Sequence, residues 1–110
     1  MTVAKNSIKR LFELERAAEL FGVLATPMRL RILAALKHGE QNVTSLLGKI
    51  DASQPNMSRH LSVLHRFGVL ARRREGQQIY YRIADQSVVL VCEAMCSNLS
   101  QSKFELDASA

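Results

Sequence analysis

A 110-residue chain with 47% hydrophobic residues and a formal net charge of +5 is sized for one domain with its own core, and its pI of about 9.7 favours a polyanionic partner. So short a chain buries a modest share of its surface, and a dimer that hides more apolar area is expected. No run of 18 apolar residues and no signal-peptide core is present, so a cytoplasmic protein without a membrane partner is expected, and two cysteines cannot staple a disulfide framework.

Met1 to Ser7 reads as a frayed start. From Ile8 to Leu24 a helical pattern runs through Leu11, Phe12, Ala18, Phe21 and Leu24, and Arg16 stands three residues from both Glu13 and Glu19. The stripe is broad enough for a core and a partner helix. Thr26-Pro27 is a capping hydroxyl followed by a first-turn proline. It opens a second helix with Leu30, Ile32, Leu33 and Leu36 inward, closed by Lys37, His38 and Gly39. His38 is a helix-end residue rather than a metal ligand, because no second ligand lies near it. Asn42 caps a short third helix, Val43 to Ile50, and Asp51-Ala52 is a link brief enough for the turn of a helix-turn-helix.

The fourth helix spans Ser53 to Gly68. Ser53 caps it, or Asp51 if the helix begins a little earlier, Pro55 sits in its first turn, Gly68 ends it, and Met57, Leu61 and Leu64 face a core. Gln54, Asn56, Ser58, Arg59 and His60 crowd its opening turns. Gln and Asn pair with adenine, Arg with guanine, and Ser with bases or phosphates, so such a tip suits a DNA major groove. A solvated amphipathic face is the plain alternative.

After Gly68 the period changes to two. Val69–Arg74 and Gln78–Ile83 form a hairpin across Glu75-Gly76-Gln77, with Ile79, Tyr81 and Ile83 on the buried face. Arg72, Arg73, Arg74 and Arg82 are opposed by Glu75 alone, which makes the hairpin a phosphate-binding ribbon. Gln77 at its tip joins the candidate DNA contacts. A charge-guarded edge strand is the competing reading. Asp85 caps a last helix to about Ser100, with Val88, Val91, Cys92, Met95, Cys96 and Leu99 as an unbroken stripe. A disordered tail, 101–110, follows. The fold class is therefore mainly α with a small β-hairpin, a winged helix-turn-helix forming a homodimer through its first and last helices. A single domain is divided into dimerisation helices 8–24 and 85–100, helix-turn-helix 43–68 and wing 69–84.

Three blocks in order, AAELFGVLATPMRLRILAAL, SQPNMSRHLSVLHRFGVL and RRREGQQIYYRI, make the chain from Ala17 to Ala84 resemble the ArsR/SmtB family of bacterial repressors. The resemblance implies a homodimeric winged helix-turn-helix that binds a pseudo-palindromic operator and leaves it when an inducer is sensed. It also implies that Gln54, Ser58 and His60 face bases, that Ser53 and Arg59 lie near the backbone, and that the wing arginines follow the adjacent groove. The usual sensors of the family are missing. The third helix has no Cys-x-Cys. Asp85 is followed by Gln86-Ser87 rather than a zinc-binding Asp-x-His. Ala34 and Ala35 stand where persulfide sensors carry a second-helix cysteine.

Cys92 and Cys96 remain as sensor candidates. Four residues apart, they share a helix face at about 6 Å between α-carbons. That spacing is awkward for a direct disulfide, whose β-carbons want ~3.8 Å, but bridging sulfane sulfurs or a thiophilic ion would relieve it. Passive packing of two buried thiols is the alternative, since no cation within a turn lowers their pKa. The reading is a DNA-binding repressor released by reactive sulfur or redox chemistry at Cys92/Cys96, with no metal site, cofactor or catalytic residue. Its rivals are an arsenite- or metal-responsive repressor using the same cysteines, a repressor without a thiol sensor, and a protein-interaction module.

Overall fold

The structure, a computed structural model, describes the backbone of residues 2–109 and the side chains of residues 5–100. The elements are α1 (Thr2–Leu24), α2 (Pro27–Leu36), β1 (Gln41–Asn42), α3 (Val43–Leu47), α4 (Gln54–Arg66), β2 (Leu70–Glu75), β3 (Gln78–Ile83) and α5 (Gln86–Ser109). The three internal helices begin at the caps that their sequence specifies. The Thr26 hydroxyl accepts from the Arg29 amide, Asn42 Oδ1 from the Ser45 amide, and the Ser53 hydroxyl from the Asn56 amide.

Ile32, Leu46, Met57, Leu61, Leu64 and Val69 are fully buried, each side chain contributing roughly 1.5–3 kcal/mol by leaving water. They place the core among α2, α3 and α4. Leu70 and Tyr81 of the hairpin and Val88 of α5 close it. The buried Gln41 is satisfied on both sides, donating to the Ala35 carbonyl at 2.6 Å and accepting from the Ser45 hydroxyl at 2.8 Å. It belongs to β1, a third strand that the sequence pattern did not reveal. Two residues are too few to show a period. The sheet order is β1-β3-β2, all antiparallel, with Arg72 opposite Tyr81 and Arg74 opposite Ile79. Gly76, at φ 62°, makes a two-residue turn with Gln77 between the paired Glu75 and Gln78, the mirror-image geometry that suits strand twist.

The long helices extend past their expected limits, because neither 2–7 nor 101–109 contains a proline or glycine to stop them. The third helix is shorter than expected and gives way to turn after Leu47. The broad apolar stripe of α1 divides between the core and the surface. Val23 and Leu24 are buried and Ala17 and Leu20 half-buried, whereas Leu11, Phe12 and Phe21 are 60%, 68% and 59% exposed. Leu30, expected inward on α2, is likewise exposed, and among the described residues of α5 only Val88 and Val89 are buried while Val91, Met95 and Leu99 face outward. Among the described residues no helix is long and apolar enough to cross a membrane.

Candidate nucleic-acid interface

The polar tip of α4 is built on a buried floor. Met57, Leu61 and Leu64 fix the helix against the core, which turns Gln54, Ser58 and Ser62 along one flank. That flank forms one wall of a cleft of about 440 Å³, with Val43 and Thr44 of α3 beside it and Gln77, Ile79 and Tyr81 of the hairpin opposite. Amides and hydroxyls dominate its lining. Arg59 points outward and donates to Asn56 Oδ1 one turn back, so these two side chains hold each other at the helix tip. With Ser53 used as the cap, the tip offers donors and acceptors on an exposed helix start.

His60 does not join this cleft. Two residues beyond Ser58, it lies about 200° around the helix, on the flank that meets α2. There the half-buried imidazole accepts at Nδ1 from Arg29 Nε at 3.1 Å, and Arg29 Nη1 also donates to the Val23 carbonyl at 2.9 Å. Burial, then the nearby charges of Arg29 and Arg59, hold its pKa below the ordinary value. Of the three residues that the resemblance places at bases, Gln54 and Ser58 share the cleft flank, while His60 stands apart on the α2 flank with its Nδ1 engaged by Arg29.

The wing arginines are also divided. Strand register puts Arg72 and Arg74 on the face of Tyr81 and Ile79, the face that lines the cleft, and neither makes an ion pair among the described residues. Arg73 lies on the other face, stacked over Tyr80 at 4.7 Å. It is held by Glu40 at 2.6 Å and Glu75 at 2.6 Å. The hydrogen bond from Arg73 keeps the Glu40 carboxyl below its ordinary range, and both carboxylates push the guanidinium further up. A side chain so engaged offers less charge to a phosphate than its neighbours do. Glu40 was not part of the sequence reading, since it lies 33 residues from Arg73 and only the sheet brings them together.

Cys92 is half-buried and Cys96 exposed. Together with Leu30 and Ala34 of α2 and Lys37 just past its end they line a groove, at whose edge Lys37 pairs with Glu93 at 2.7 Å. Burial first, and Cys96 second, push the Cys92 thiol up. No group of three or more His, Cys, Asp or Glu that could hold a metal ion occurs among the described residues.

A short turn between two helices, an exposed polar second helix and an arginine-bearing hairpin define a winged helix-turn-helix DNA-binding protein. Residues 26–71 match the family model described as bacterial regulatory protein, arsR family. The chain is 39% identical over 84 residues to the biofilm growth-associated repressor of Agrobacterium fabrum, covering 74% of this chain and 72% of that one. Its fold is similar to the crystal structure of Mycobacterium tuberculosis Rv0081, with a TM-score of 0.73, 33% identity and coverage of 86% and 94%. It is also similar to the homodimeric winged helix-turn-helix DNA-binding domain of a Mycobacterium bovis regulator, with a TM-score of 0.71, 29% identity and coverage of 84% of each chain. The chain belongs to the ArsR/SmtB family of DNA-binding transcriptional repressors, which are not enzymes.

Proposed function

We propose that two copies of this chain bind a pseudo-palindromic operator and leave it when Cys92 and Cys96 are modified by reactive sulfur or an oxidant. The observation that carries the DNA half is the cleft between the Gln54–Ser58 flank of α4 and the Arg72/Arg74 face of the hairpin. Gln54, Ser58 and Arg59 read or flank base edges. Ser53 and Asn56 order the helix tip, and Arg72, Arg74 and Gln77 meet the backbone beside it. The exposed apolar faces of α1 and α5 supply the dimer contact, in keeping with the homodimeric M. bovis domain. Such a contact sets the spacing of two α4 tips to about one DNA turn.

The thiol half rests on the position of the cysteines between α5 and α2, beside the exposed apolar faces. Cys96 is the exposed nucleophile, and Cys92, with its raised pKa, is the resolving thiol. Attack of the Cys96 thiolate on a tetrasulfide dianion yields a Cys96–S–S–S⁻ adduct and disulfide dianion. The Cys92 thiolate then attacks the inner of the two sulfane sulfurs, closing a Cys92–S–S–S–Cys96 bridge whose end atoms are the two Sγ and expelling the outer sulfur as sulfide. Such a bridge fits an i,i+4 pair better than a direct disulfide does.

Intact-mass spectrometry after polysulfide, peroxide, arsenite and zinc treatment, paired with operator release, tests the reading. A sulfur adduct that releases DNA, with Cys96 modified before Cys92, is the expected result. Cys92→Ser and Cys96→Ser should each bind the operator normally and stop responding. Release of a double serine variant by the same treatment would make the thiols packing residues, and release by arsenite alone would transfer the role to a thiophilic ion.

A further inference from the structure

Two arginines outside the polar tip fasten α4 to the rest of the molecule. At its C-terminal end, Arg16 of α1 donates to the Phe67 carbonyl at 2.6 Å. Toward its N-terminal half, Arg29 reaches both His60 Nδ1 and the Val23 carbonyl, while the Arg29 amide is itself held by the Thr26 cap. The Val23 carbonyl belongs to the last turn of α1, where carbonyls lack helical partners. One guanidinium thus joins α1, α2 and α4.

We propose that Arg29 is a positioning residue of the DNA interface: through His60 it fixes the rotation of α4 about its axis, and it does so only while the imidazole is neutral. The inference rests on the reading of α4 as the helix that enters DNA. A guanidinium has donors and no acceptor, so Nδ1 must present a lone pair and the neutral ring carries its proton on Nε2. An imidazolium donates from both nitrogens and repels the arginine. The charged groups facing the ring are Arg29 from α2 and Arg59 from α4, and α1 contributes the uncharged Val23 carbonyl through Arg29. A histidine pKa depressed below its ordinary 6.5 gives a latch that is present above that value and lost as pH falls through the lower folded value.

Base contacts demand side chains held to fractions of an ångström, whereas attraction to phosphates tolerates a loose helix. Losing the latch should therefore reduce operator affinity more than affinity for random DNA. The ratio of the two is the quantity to measure, with the full chain and an operator obtained by in vitro selection. In the wild type the ratio should hold near pH 7.5, begin to fall only below 6.5, and drop by about tenfold once the imidazole is fully charged, the worth of one charge-assisted hydrogen bond. Arg29→Met should show that loss already at about pH 7.5 and lose the pH dependence. His60→Gln supplies an amide oxygen that accepts from Arg29 and cannot titrate, so it should keep the ratio and flatten the profile.

Imidazole nitrogen shifts in the DNA-free protein give an independent readout: an Nε2–H tautomer in the wild type and a mixture in Arg29→Met. An unchanged ratio and tautomer in Arg29→Met would overturn the proposal. So would a new preferred base at one operator position in His60→Gln, which would make His60 a base reader. If instead the wild type itself fails to prefer any selected duplex, the DNA-entering reading of α4 has failed, while the tautomer result still stands or falls by itself.

Discussion

Arg72, Arg73 and Arg74 are chemically alike and physically unlike. Alternation along β2 sends the first and third to the cleft face and the second to the face of Tyr80, where Glu40 and Glu75 compete for it. A phosphate contact formed by an unengaged arginine releases a counterion, and each such contact steepens the salt dependence of binding by about 0.9 in log–log slope. Arg74→Ala should accordingly flatten that slope by about one unit, while Arg73→Ala should change it much less. Glu40→Gln should move Arg73 toward the first behaviour and strengthen binding to random DNA. Fluorescence anisotropy across a salt series decides among these, and equal slopes for Arg73→Ala and Arg74→Ala would show that the carboxylates do not restrain Arg73. The pH sign follows from the Glu40 carboxyl being held below 4.5. Its pairing with Arg73 is complete above that value and is lost as pH falls through the lowered one.

Within single elements, local chemistry sets where the functional helix starts and how the hairpin turns. The Ser53 cap satisfies the Asn56 amide at 3.2 Å, and the helix it starts carries Gln54 and Ser58. Ser53→Ala should cost about 1 kcal/mol of stability in denaturant unfolding. It should also weaken operator binding beyond that cost, because the frayed residues are the ones aimed at DNA. A loss confined to stability would place the tip's function elsewhere. Gly76 holds the left-handed φ that the turn needs, and Gly76→Val should destabilise the hairpin by about 1–2 kcal/mol. The amide hydrogen-exchange protection of β2 and β3 should report that loss, and unaltered protection would contradict the turn's role in fixing their register. These two elements were legible in the sequence, because caps and turn residues act over three or four positions. The rotation of α4 was legible too, had the 100° step been applied between Ser58 and His60.

For the whole molecule, the governing fact is apolar surface without a partner. Ile8, Leu11, Phe12 and Phe21 on α1, with Val91, Met95 and Leu99 on α5, stay more than two-fifths exposed in one protomer, far beyond the scattered single residues that a monomer carries at no cost. Met95→Glu combined with Phe12→Glu should convert a dimer to a folded monomer in light scattering. The same change should lower operator affinity sharply, since two half-sites would no longer be bound as one unit. A dimer that survives both charges would move the interface away from these helices.

Residue order alone determined the starts of the capped helices, the hairpin, the polar tip and the family, because each is written in neighbours a few positions apart. Tertiary structure decided which arginines are engaged, that His60 faces Arg29 rather than the cleft, and that Lys37 and Ala34 border the cysteines. Those pairings join residues 31 to 51 positions apart in the cases of Arg29–His60, Glu40–Arg73 and Arg16–Phe67. No periodicity spans such distances. They exist because a packed core brings separate helix and strand faces together.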